Sequence, residues 1–137
     1  MTFSIPSGEF ETPLLRTDAA QPGWASLLEA IRTPSRDGFV AYVHVVTHAG
    51  LEGIDEAGIR ALPRDNGAET FVLVVDRRAQ SEPGFPILVV DLSAANRRSF
   101  RVAARCLWAV QNNLSLANMD WEEFADNVDP GGVFRGC

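Results

Sequence analysis

Apolar positions along this chain recur with two spacings, and the change from one to the other marks out its elements. An opening arm, residues 1–13, alternates weakly through Phe3 and Ile5 before Pro6 and reads as an edge strand or packed tail. Leu14-Leu15-Arg16-Thr17-Asp18 follows as a first strand. Beyond Pro22, which suits a first helical turn, Trp24, Leu27, Leu28 and Ile31 fall at i, i+3, i+4 and i+7, one face of a helix that Thr33-Pro34 stops. Asp37-Gly38 is a turn signal, and Phe39 to Thr47 reads as a strand apolar on both faces, which predicts a central, covered position. Asp55-Glu56 opens a short helix carrying Ile59 and Leu62 and ended by Pro63. Thr70 to Val75, Ile87 to Leu92 and Phe100 to Ala103 complete the strands.

Connection lengths then set directions. The links after the first two strands can hold helical crossovers, so the first three strands are expected to be parallel. The third and fourth are joined by residues 77–86, where Pro83-Gly84 and Pro86 leave no room for a helix, so an antiparallel meander through the fifth strand follows. Two helices, near 107–117 and 121–128, finish the chain before a short tail from Val133 to Cys137. The expected architecture is α/β: an arm over 1–13, then a single domain over 14–137. That domain is built on a mixed sheet of about five strands with two C-terminal helices.

The 137 residues fit this one domain, with enough buried surface to need neither metal nor disulfide. No run approaches a membrane span, and the opening residues, with Glu9 and Glu11, lack the basic-then-apolar form of a secretory signal. Two cysteines make no disulfide framework, so a reducing, cytoplasmic location is the expectation. The net charge of −6 opposes attraction to nucleic acid and anionic membranes. All twelve basic residues are arginine, six of them within residues 77–105, where only Glu82 and Asp91 oppose them. With no RNA-binding aromatic motif or helix-turn-helix signal beside them, these arginines are expected to pair with carboxylates elsewhere in the molecule.

Catalytic signatures are absent: no nucleophile elbow, no Cys-x-x-Cys, no phosphate loop, no dinucleotide fingerprint. Asp18, Asp76 and Asp91 each end a strand, and carboxylates at adjoining carboxyl ends can hold a divalent ion. The antiparallel third and fourth strands separate Asp76 from Asp91, which leaves turn and cap roles as the simpler reading. His44 and His48 stand about 13 Å apart if the strand is unbroken at ~3.3 Å per residue, too far to share an ion. Neither has ligand spacing with a cysteine. Cys106 reads as a buried inert thiol and Cys137 as a thiol with no evident role. No metal, cofactor or catalytic residue is assigned.

The most unusual stretch is Cys106 to Met119, fourteen residues without charge that carry Gln111, Asn112, Asn113, Ser115 and Asn118. Leu107, Val110, Leu114 and Ala117 form a core stripe on a helical wheel. Gln111, Ser115 and Asn118 share a second face, with Trp108 and Asn112 beside them. A solvated face would normally use Glu and Arg; neutral amides keep donors and acceptors without the cost of burying charge. Two readings stay open: an internal network satisfying loop backbone, and a binding patch formed by Trp108, Gln111, Asn112, Asn113, Ser115 and Asn118. Asp120 and Glu123, three apart before the next apolar stripe, read as a capping box.

The segment LWAVQNNLSLANMDWEEFADNVD (107–129) with GVFRG (132–136), joined by Leu14 to Asp18, Trp24 and Leu88 to Leu92, resembles a family of small actinobacterial proteins catalogued as a domain of unknown function. The resemblance implies a bacterial, intracellular protein and carries no activity with it. The function expected is therefore a non-enzymatic binding module for a protein partner, by analogy an immunity-like or regulatory protein. The alternative is a small-ligand sensor or enzyme using strand-end aspartates with the amide-rich helix. Self-association through that helix is a third option.

Overall fold

The computed structural model describes residues 3–6, 11–65 and 70–137; the remaining residues of the arm and 66–69 lie outside it. A six-stranded mixed sheet runs β2-β1-β3-β4-β5-β6, with β1 Thr12–Arg16, β2 Val43–Val46, β3 Phe71–Val75, β4 Pro86–Asp91, β5 Phe100–Ala103 and β6 Val133–Phe134. The first three strands are parallel, and β3, β4 and β5 form the antiparallel meander. The sixth strand, unforeseen because only two residues long, returns the tail to pair parallel with β5. β1 begins at Thr12, so the last two residues of the expected arm belong to the sheet.

Helices cover both faces. α1 (Trp24–Arg32), α4 (Leu107–Ser115) and α5 (Trp121–Ala125) pack on one face around Leu14, Leu73, Val89, Val102, Val110 and Phe124. α2 (Glu56–Ala61), one turn of 3-10 helix at Ala49–Leu51, and Ile5 of the arm cover the other, around Leu15, Val72, Val74 and Val90. The alternation within β1 and β3 thus feeds two cores, which explains strands apolar on both sides. Asp55 caps α2 through Gly58 N at 2.8 Å, and Asp120 and Glu123 form the expected capping box on α5.

Three expectations need correction. The run Phe39 to Thr47 is not a central strand: only Val43–Val46 pairs, and β2 is the edge. Apolar content alone does not separate a covered strand from an exposed one. Residues 77–86 do hold a helix, α3 (Arg77–Ser81), a single turn capped by Asp76 and short enough to precede the Pro83-Gly84 turn. Cys106 and Cys137 are not free thiols; they are joined in a disulfide across 31 residues of sequence. Strand β6 brings the tail back beside the start of α4, a proximity that no spacing rule contains. The cysteines therefore give no argument for a reducing compartment. No helix among the described residues is long and apolar enough to cross a membrane.

Candidate functional site

The strand-end carboxylates take structural roles. Asp18 accepts from Ala20 N and from Gln21 Nε2. Asp76 accepts from Ala79 N at 2.9 Å and receives both guanidinium nitrogens of Arg101, at 3.0 and 2.6 Å. Burial pulls the Asp76 carboxyl upward, but the Arg101 hydrogen bonds and charge, with the Ala79 amide, outweigh it and hold its pKa below the ordinary value. Asp91 lies at the far end of the sheet, since it pairs with Phe71 at the start of β3. Its burial also acts upward and is again outweighed, by the amides of Arg97 and Ser93 and the Arg97 charge.

Ligands of open α/β sheets sit at the carboxyl ends of strands where the strand order reverses, here between β1 and β3. In this chain Gln80 fills that crevice. Its carboxamide, buried, donates to the carbonyls of Asp18 at 2.8 Å and Asp76 at 3.1 Å and accepts from Arg16 Nε at 3.3 Å. Arg16 itself lies over the Trp24 ring at 4.4 Å. The α1 terminus closes over the plug: a Cβ on Gly23 would stand 2.0 Å from the Gln80 carbonyl oxygen.

The histidines are also accounted for. His48 Nδ1 accepts from Gly50 N at 2.9 Å, so in the neutral ring the proton sits on Nε2, which has no lone pair to offer a metal. His44 is exposed on the edge strand. Of the six arginines within 77–105, Arg97, Arg98 and Arg101 meet carboxylates outside the segment, as expected, on Glu122, Asp126 and Asp76, whereas Arg78 pairs with Glu82 inside it and Arg97 also faces Asp91. Arg105 instead donates to Arg135 O and Cys137 Sγ.

The amide-rich helix forms a seam with residues 39–42. Trp108 stacks on Phe39, with ring centroids 5.2 Å apart and planes 12° from parallel. One turn on, Asn112 Nδ2 donates to Val40 O at 3.0 Å, and Gln111 Oε1 accepts from Tyr42 N at 2.9 Å. Gln111 Nε2 donates to Thr12 Oγ1 at 3.2 Å and to Ser115 Oγ at 3.1 Å. The Gln111 carboxamide thus bridges the edge strand β2 and its neighbour β1 at their entry, beside the rung where Thr12 N donates to Tyr42 O. Asn113 turns back on its own helix, donating to Ala109 O at 2.7 Å.

The helix ends before its expected limit. Ala117 adopts φ +55°, and the bonds Ala117 N to Leu114 O and Asn118 N to Asn113 O close a Schellman motif. Ala117 is therefore exposed in a turn rather than part of the core stripe, and Asn118 leaves the face shared by Gln111 and Ser115. Ser115 and Asn118 are exposed, Trp108, Asn112 and Asn113 are half-buried, and Gln111 is buried.

Three residues that sequence reasoning had not placed in a site complete the seam. Phe39, Tyr42 and Leu116 are 50%, 56% and 70% exposed, the large apolar side chains left open among the described residues. Tyr42 and Leu116 line a cleft of about 380 Å³ with Gln111, Asn112 and Ser115. Leu116 was detectable, since it lies off the core stripe of its helix; Phe39 and Tyr42 were hidden within an apolar run that reads as core.

A family model described as Domain of unknown function (DUF6924) matches residues 11–137. The chain belongs to that family. No curated protein matches it. The family's match starts one residue before β1 and takes in the whole sheet, the disulfide and the seam.

Proposed function

We propose that this DUF6924 chain is a non-enzymatic binding module that receives a protein partner on the seam between α4 and residues 39–42. One observation carries the reading: the large apolar side chains left exposed in the described structure, Phe39, Tyr42 and Leu116, all lie on this seam. Scattered exposed apolar residues need no explanation, but a cluster beside an uncharged amide helix has the composition of an interface core, aromatic and poor in charge. Trp108, braced by Phe39, serves as anchor, while Asn112 and Ser115 offer hydrogen bonds at the cleft. Gln111 and Asn112 hold the surface in shape through their bonds to Tyr42 and Val40.

The alternative, a ligand sensor or enzyme built on Asp18 or Asp76, has less to work with. Both carboxylates are engaged in turns, caps and an ion pair, and Gln80 occupies the crevice between their strands. An immunity-like or regulatory role remains an analogy supported by the acidic charge of −6. The Cys106–Cys137 disulfide favours an oxidising compartment over the cytoplasm, since such bonds persist mainly where thiols are not kept reduced.

The test compares wild type with Tyr42→Ser/Leu116→Ser in affinity capture from the native host, at low and moderate salt. Both positions are exposed, so each change should alter stability by no more than about 0.5 kcal/mol. A protein recovered by wild type and lost by the variant supports the reading. Equal recovery by both, or none by either, overturns it.

A further inference from the structure

The free edge of the sheet adjoins the same seam. Tyr42 O accepts from Thr12 N, and the parallel register pairs Thr12 with Val43 through Leu15 with Val46. Alternation along the strand then aims the backbone groups of His44 and Val46 at β1 and those of Val43 and Val45 outward. No described strand pairs with this outer side. Edge strands are commonly protected by charge or proline, yet residues 38–47 contain no Asp, Glu, Arg or Pro. The cleft and the edge meet at Tyr42, which lines the cleft and directly precedes Val43, the first residue of β2.

We propose that the partner enters as an extended segment that adds a strand to the outer edge of β2, a proposal that rests on the binding reading above. Its backbone pairs with the N–H and C=O groups of Val43 and Val45, and one apolar side chain fills the cleft between Tyr42 and Leu116. Main-chain bonds then supply affinity and the cleft supplies selectivity. Two observations select a short uncharged or basic segment over a second copy of this chain. Each copy carries −6, so self-pairing sets like charges together. The open area is also small. Half-exposed Phe39 and Tyr42 offer roughly 100 Å² each on the scale of aromatic side chains, and with Leu116 the apolar surface reaches about 300 Å². A stable interface between folded proteins takes about 800 Å² from each partner, roughly 450 Å² of it apolar. A segment of five or six residues is matched to the smaller figure.

The experiment selects binders from a phage-displayed library of random twelve-residue peptides and maps the best one by amide hydrogen exchange on the intact protein. The expected binders alternate apolar and polar residues and carry more Arg and Lys than Asp and Glu. Bound peptide should slow exchange at Val43 and Val45 about ten-fold or more, leaving the central Val72 and Val74 unchanged. N-methylation of the peptide on its pairing edge should abolish binding, and Val45→Pro, which deletes one outward donor, should weaken it. A library that yields no binder overturns the proposal. So do binders that touch α4 without protecting Val43 and Val45, although that result leaves the seam as a docking face. Protection of both amides in a peptide-free dimer, seen by sedimentation, would instead assign the edge to a second copy and overturn the proposal. Failure of the binding reading itself would appear separately, in unchanged capture by Tyr42→Ser/Leu116→Ser.

Discussion

Gln111→Ala is the most informative single change, because this buried side chain makes four hydrogen bonds, two of which join helix α4 to the sheet. It is 2% exposed; its oxygen serves Tyr42 N and Asn112 Nδ2, and its nitrogen serves Thr12 and Ser115. Truncation affects these partners unequally. Asn112 keeps Val40 O, and exposed Ser115 turns to water. The Tyr42 amide and the Thr12 hydroxyl, itself fully buried, are left without their partner. At about 1–3 kcal/mol for each stranded group, with Tyr42 at the lower end because water can reach its exposed surroundings, the loss comes to about 2–4 kcal/mol. In a urea titration that is a midpoint shift of about 1–2 M, taking a slope of about 2 kcal/mol per molar.

Gln111→Glu sharpens the test. The carboxylate can still accept from Tyr42 N, but it is buried and none of the described partners of this side chain is a cation, which raises its folded-state pKa. A group raised on folding binds more protons in the native state, so stability falls as pH rises through that pKa. The variant should therefore be less stable at pH 7 than at pH 5, relative to wild type at each pH. A loss below about 0.5 kcal/mol for Gln111→Ala, or no pH dependence for Gln111→Glu, refutes the network.

Cys137→Ser removes a link that closes 31 residues, and loop entropy puts the loss at about 3–4 kcal/mol; equal urea midpoints for variant and oxidised wild type would refute it. Mass spectrometry without reductant should show wild type two hydrogen atoms lighter than the reduced chain. Asp76→Asn should cost about 2–3 kcal/mol at pH 7, since it leaves mostly buried Arg101 without its carboxylate. The lowered Asp76 pKa means its contribution is present above the unfolded carboxylate value and is lost as pH falls through the folded one, so wild type and variant should converge in acid. Ala117→Gly relieves a left-handed alanine at the end of α4 and should stabilise by about 1 kcal/mol; a destabilised variant would refute the strain.

Periodicity and connection length were enough to establish an α/β chain, three parallel strands followed by a meander, and the separation of Asp76 from Asp91. Those features follow from local chemistry: a Pro-led amphipathic face, turn residues, and loops too short or long enough for a crossover. The amide stretch 106–119 was also legible, because amides where ions would normally stand signal partial burial, and Gln111 and Asn112 meet that expectation. Long-range geometry decided the rest. Burial of Phe39 and Tyr42 depends on which strand lies outermost, and apolar letters do not record sheet order. The disulfide depends on β6 folding back against β5, and the occupied crevice depends on Gln80, one helical turn past a strand end, reaching between two carbonyls. Each of these is a meeting of residues far apart in the chain, and it comes into being only when the sheet assembles.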